Sequence, residues 1–251
     1  MNKALQSIHT NVTTIMLLFL SFGISIFSPK ICIAGNDCVI LLHGLARTNH
    51  SMAKLESTLK KHHYMVVNDN YPSTKKSIEQ LANEFIPPML YQCLKHHPKY
   101  IHFVAHSLGG MMVEHYLQTH TITKLGTVIM LSPPNHGSPL ADLLHNNKIV
   151  QLILGPSIQA LTTQIKESSL KRGPYKIGII AGSRSLNPFG AFIFDEPNDG
   201  IVPVSSTKMK PMNDFIVLPV THTFMMRNEQ VITQILCFLK RGHFCLRTDR
   251  C

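Results

Sequence analysis

Short, almost wholly apolar runs alternate with longer amphipathic stretches along most of the chain. "CVILLHG" (38–44), "YMVVNDN" (64–70), "YIHFVAH" (100–106), "LGTVIML" (125–131), "YKIGIIAG" (175–182) and "DFIVLPV" (214–220) are the short runs. Their β-branched content and their turn-forming ends predict strands, and their continuous apolar character predicts burial on both faces. Between them apolar residues recur at helical spacing. Met52, Leu55 and Leu59 do so in 49–63, with Asn49 or Ser51 as a start signal. Residues 76–97 read as a helix, with Pro87 and Pro88 predicting a break or kink in its middle. "GGMMVEHYLQTH" (109–120) is the next helix. In "NEQVITQILCFLKRG" (228–242), Val231, Ile235 and Leu239 form one stripe and Gly242 is a stop.

Strands alternating with helices predict a mostly parallel sheet of about six strands with helices on both faces. Ligands of such sheets bind beyond the carboxyl ends of the strands, so residues just after each strand are the ones to search for chemistry. Residues 141–173 are the least regular part between strands. Residues 148–165 read as one or two short helices, either packed on the surface or forming a flap over the site.

The N-terminus departs from the alternation. Lys3 precedes an apolar run at 12–27, and small Ala34 precedes Gly35, the pattern of a cleaved export signal over residues 1–34. The run is marginal for a membrane span, which needs about 20 apolar residues, so an uncleaved anchor is the lesser alternative. The domain is then 35–251, long enough for one sizeable core. Formal charge is +10, and loss of Lys3 and Lys30 lowers it by two to +8. A basic surface permits transient contact with an anionic membrane. No Lys/Arg run with interleaved aromatics suggests a nucleic-acid groove. Nothing in the pattern sets an oligomeric state. Cys32 leaves with the signal, and Cys38, Cys93, Cys237, Cys245 and Cys251 remain. In an exported chain they invite disulfides. Cys245 with Cys251 is the natural local pair, and Cys38 with Cys93 follows if their elements are adjacent. None has the CxxC spacing of a zinc or redox site.

One serine stands out. "AHSLGG" (105–110) follows a strand and opens a helix, the context of a nucleophile elbow. Residues two positions either side of Ser107 must be small there, and they are Ala105 and Gly109. Alanine stands where glycine is usual. Ser107 needs a base, and the base needs an acid.

Together with "LLHGLART", "YPS", "SPPNHGSPLAD", "NDGIVPV" and "THTF", this stretch resembles the α/β-hydrolases of the lipase/esterase type, from about Val39 to Phe244. The resemblance implies a Ser–His–Asp triad and no cofactor. It also implies a minimal sheet, since the first strand already carries the HG motif. The triad order of this fold, serine then acid then histidine, points to Ser107, Asp199 in "NDG" and His222 after the sixth strand. Asp195 is the alternative acid. The oxyanion donors would be the amides of Leu45, after HG, and Leu108, after the serine. His43 would brace that loop, and His106 would pack. His136 could stand behind the triad, and Arg47 would form a salt bridge or touch an acidic substrate. Phe224, Met225, Met111 and Leu140 are candidates for an acyl pocket, although each taken singly reads rather as core.

The expected activity is hydrolysis of carboxylic esters, lipid esters above all, by an exported serine hydrolase. An acyltransferase using the same triad and a catalytically silent binding protein on this fold are the alternatives. No metal-ligand spacing occurs.

Overall fold

The computed structural model describes residues 36–163, 170, 173–186 and 193–245. The predicted export signal, residues 1–34, lies outside them, as does Cys251. No helix among the described residues is long and apolar enough to cross a membrane.

Six strands form one fully parallel sheet: β1 (Cys38–Leu42), β2 (Met65–Val67), β3 (Ile101–His106), β4 (Leu125–Leu131), β5 (Lys176–Gly182) and β6 (Asp214–Leu218). Their spatial order is β2-β1-β3-β4-β5-β6. β1 and β3 are buried along their whole length, whereas β2 and β6 are the partly exposed edges. Alternate residues of each central strand enter different cores. Ile40, Leu42, Phe103 and Ala105 pack into one apolar cluster, and Val39, Leu41 and Val104 into another. This is why the strands read as unbroken apolar runs rather than as alternations.

The first cluster is covered by α2 (Ile78–Leu94) and α3 (Leu108–Thr119), the second by α1 (Ala53–Lys61) and α6 (Glu229–Arg241). α2 opens with a capping box, Ser77 and Gln80 each taking the other's backbone N–H. It runs through Pro87 and Pro88 instead of breaking there. The two prolines remove the amides that would bond the carbonyls of Asn83 and Glu84. Both those residues and both prolines are exposed, so water can serve the carbonyls. The opposite face buries Leu81, Ile86, Met89, Leu90 and Cys93, which holds the helix in one piece.

Cys93 is bonded to Cys38, tying the end of α2 to the start of β1. The other disulfide joins Cys237 to Cys245, not Cys245 to Cys251. The cause is local. Gly242 ends α6 in the left-handed region (φ 73°), which only glycine adopts freely, and turns the chain back. Gln234 then accepts the Cys245 amide at 2.9 Å and donates to its carbonyl at 3.0 Å. Phe244 packs on Phe238 with ring centroids 4.8 Å apart.

The chain steps from β1 to β2 on one side and returns to β3 on the other. The connections after β1 and β3 therefore diverge, and a crevice opens beyond their carboxyl ends. "HGLART" follows β1 there and Ser107 follows β3. Two short helices, α4 (Pro139–Leu144) and α5 (Lys148–Leu154), and a 3-10 turn at Pro156–Leu161 lie on that side of the sheet, lining the same cavity as Ser107.

Candidate active site

Ser107 has φ 54° and ψ −120°, a conformation that a residue with a side chain adopts only under constraint. The constraint comes from both sides. Its amide donates to the Leu131 carbonyl of the neighbouring strand at 2.9 Å, and its carbonyl accepts from Gly110 at 2.9 Å as α3 begins. The turn brings the start of α3 against the end of β1. A Cβ on Gly109 would lie 2.8 and 2.9 Å from the carbonyl oxygens of Leu42 and His43, so no larger residue fits without movement. The first small position tolerates its methyl, since Ala105 is fully buried in the apolar cluster.

His222 follows β6 and is buried with Ser107 in the lining of one cavity. It is held at two points by Asp199. The His222 amide donates to the Asp199 carbonyl at 3.0 Å, and Nδ1 lies 2.7 Å from Asp199 Oδ2. A proton on Nδ1 leaves Nε2 bare as an acceptor. The other carboxylate oxygen of Asp199 accepts the amides of Ile201 at 3.0 Å and Val202 at 2.8 Å. Burial raises the carboxyl's proton affinity, but the His222 charge and these hydrogen bonds outweigh it and hold Asp199 below the usual carboxylate value. Asp195, the alternative acid, is exposed and makes no bond to His222.

Two residues beside these carry more than sequence reasoning gave them. His106 Nε2–H donates to the main-chain carbonyl of His222 at 3.0 Å, and the two rings lie 4.6 Å apart. Burial, then the proximity of His222, push its proton affinity well below the ordinary histidine value, so it stays neutral. It packs as expected, and it also fixes the backbone that carries His222. Ser132, just after β4, is fully buried at φ 43°. Its hydroxyl accepts the Gly182 amide at 3.1 Å and donates to the Asp199 carboxylate. The only sequence signal for it was its place directly after a strand.

His43 braces the loop after β1. Its ring stacks on Tyr71 at 3.8 Å, its Nδ1–H donates to the Gly44 carbonyl at 2.9 Å, and Tyr71 donates its hydroxyl proton to the His43 carbonyl. Gly44 lets this loop approach the elbow, since a Cβ there would stand 2.8 Å from His106 Nδ1. Leu45 is half-buried and lines the cavity, while Leu108 is fully buried at the start of α3.

A sheet whose switch-point crevice holds a strained strand-to-helix serine after β3, with a carboxylate from the loop after β5 and a histidine after β6, is a specific architecture. The chain has the α/β-hydrolase fold. Neither a protein-family model nor a curated protein sequence matches it. Among solved structures it is similar to lipase BlEst2 of Bacillus licheniformis in its mature form (TM-score 0.67, 18% identity, 82% of this chain and 92% of that one). It is also similar to phospholipase PlaB of Legionella pneumophila (TM-score 0.67, 18% identity, 81% of this chain and 60% of that one). An esterase of Pyrococcus furiosus aligns at TM-score 0.59 and 16% identity, over 82% of each chain.

The hydrolase-fold crevice is an apolar cavity of about 250 Å³. Leu140, Leu144, Leu154, Ile158, Leu161 and Ile201 line it, with Ser107, His106, His222, Ser138 and Arg47 as its polar groups. Of the four acyl-pocket candidates, Met111 and Met225 take the core reading, and Phe224 takes neither. Only Leu140 lines the cavity. Met225 and Met111 are buried in the two core clusters, and Phe224 is 54% exposed. His136 is exposed and is not among the residues that line the cavity. Arg47 forms no salt bridge with any described carboxylate; its Nη2 donates to Thr223 Oγ1 at 3.2 Å. Among the described residues no group of three or more His, Cys, Asp or Glu side chains is placed to hold a metal ion.

Proposed function

We propose that this chain is an exported serine hydrolase that cleaves carboxylic esters with an apolar acyl part through an acyl-enzyme. The observation that carries the reading is the Asp199–His222 pair facing an apolar cavity that Ser107 also lines. Ser107 Oγ attacks the ester carbonyl while His222 Nε2 takes its proton. Asp199, kept ionised, holds the imidazole in the tautomer with Nδ1 protonated and stabilises the imidazolium. The amides of Leu45 and Leu108 receive the developing oxyanion. Collapse of the tetrahedral intermediate breaks the bond to the alcohol oxygen, and His222 returns the proton to it. Water, deprotonated by His222, then releases the acid and restores Ser107.

The lining supports an acyl chain as the group bound, because nine of its residues are leucine, isoleucine, valine or alanine and its charge is a single guanidinium at the side. The two disulfides fit an oxidising compartment, which supports export. The formal charge, +8 once residues 1–34 with Lys3 and Lys30 are removed, supports contact with an anionic lipid surface.

Turnover of p-nitrophenyl esters of graded acyl length tests the reading. Wild type is expected to hydrolyse them with a preference that falls once the chain outgrows the cavity. Ser107→Ala is expected to lose on the order of 10⁴-fold in rate. No turnover of any of these esters by wild type, or an unchanged rate in the variant, contradicts it.

A further inference from the structure

The apolar cavity is not the only space that Arg47 borders. The same residue lines a wider depression of about 550 Å³, open to solvent and bounded also by Ala46, Thr48, Ser73, Thr74 and Lys75. The two spaces share Arg47 in their linings. One is apolar. The other sets two cations and the hydroxyls of Thr48, Ser73 and Thr74 among Ala46, Tyr71 and Pro72.

Three observations set these cations apart. Arg47 and Lys75 are exposed, and neither has an ion-pair partner among the described residues, whereas Lys76 next in sequence is paired with Glu84 at 2.8 Å. Arg47 stands two residues after Leu45. Its one described side-chain hydrogen bond is to Thr223, the residue after His222, so the guanidinium joins the loop of the expected oxyanion amide to the loop of the base. The depression is also built rather than incidental. The Ala46 amide donates to Ser73 Oγ at 3.1 Å, and Tyr71 is anchored on His43, so its two walls are tied together.

We propose that this depression is a headgroup subsite for a phosphate on the alcohol side of the ester, gripped by Arg47 and Lys75 while the acyl chain fills the apolar cavity. The assignment rests on the ester-hydrolase reading above. A planar guanidinium binds two phosphate oxygens at once, and the lysine adds a second charge. The substrate class is then an acylated glycerol phosphate.

The test uses two monomeric probes at low salt, dihexanoylglycerol phosphate and dihexanoylglycerol. The ratio of their kcat/KM values is the readout, so a general loss of rate cancels. Wild type is expected to favour the phosphate ester by about tenfold, the lower end for a charge-assisted Arg–phosphate contact at an exposed site. Arg47→Gln with Lys75→Gln is expected to bring the ratio near one, and Arg47→Lys to keep part of it. Lys99→Gln, which removes an exposed cation on the amino-end side of the sheet, is expected to leave the ratio intact. Equal turnover of the two probes by wild type, a ratio that survives the double variant, or an equal fall in Lys99→Gln overturns the subsite, with hydrolysis itself intact. Failure of wild type on both probes and on p-nitrophenyl butyrate instead overturns the hydrolase reading, and the subsite with it.

Discussion

The floor of the cavity and its roof are built on different terms. On the floor, Ser107, Asp199 and His222 follow sheet strands, are all buried, and are fixed by backbone groups: Ser107 by Leu131 of β4, His222 by the Asp199 carbonyl, and Asp199 by the amides of its own loop. The roof, α4, α5 and the turn after them, rests on side-chain ties. Ser138 donates to the Ile201 carbonyl at 2.5 Å, Asp142 accepts from Thr163, and Ser157 donates to the Lys76 carbonyl at 2.6 Å. Its outer face leaves Leu143, Leu152 and Ile153 exposed at 66%, 86% and 63%. On the proposed reading, chemistry that tolerates errors of only a fraction of an ångström would be placed on the sheet, and selection of the substrate's apolar part would be left to short helices that can vary without disturbing it.

Changes to the floor should reduce rate, and changes to the roof should alter which ester is used. The largest effect is expected from Asp199→Asn, which keeps the shape of the pair but favours the wrong imidazole tautomer. Steady-state kinetics should show kcat lower by up to about 10⁴-fold. The carboxylate also contributes to stability. Its folded value lies below the ordinary one, so the contribution is present at neutral pH and is lost as pH falls through the folded value. Asp199→Asn should therefore flatten the acid limb of a melting-temperature profile.

A smaller loss, about tenfold in kcat with KM little changed, is expected for His106→Phe, which removes one hydrogen bond to the backbone under His222. His106 is held neutral in the fold, so protonation favours the unfolded chain. Stability is complete above 6.5, its ordinary value, and falls as pH drops from there toward the depressed folded value. The variant should lack that part of the pH dependence.

On the roof, Ile158→Trp should reduce kcat/KM for long acyl chains several-fold more than for acetate or butyrate esters, by filling the cavity. A uniform loss across chain lengths would erase the distinction between floor and roof. The smallest effect is expected from Tyr71→Phe, which deletes the hydroxyl bonded to His43 while keeping the stacked ring. Denaturant unfolding should register about 1 kcal/mol.

The same division explains what the sequence revealed. Ser107, Asp199 and His222 were legible because strand ends, turn residues and a fixed chain order constrain them, and the structure brings all three to one crevice. The six strands were legible because burial on both faces leaves a continuous apolar run. The cavity lining was not, since a leucine facing a cavity and a leucine facing the core look alike until the packing is known; of the four pocket candidates, Met111 and Met225 lie in the core and only Leu140 lines the cavity. His106 and Ser132 act on backbone or carboxylate atoms far away in sequence, which no local pattern encodes. The Cys237–Cys245 bond depends on a reversal at Gly242, so sequence proximity alone favoured Cys251. Pro87 and Pro88 failed to break α2 because the cost fell on its exposed face.

The central claim is that Ser107 is the nucleophile. Intact-mass measurement after treatment with a fluorophosphonate tests it most directly, comparing wild type with Ser107→Ala. A single adduct on wild type that maps to Ser107 and is absent from the variant is the expected result. No adduct on wild type, or the same adduct on the variant, would contradict it.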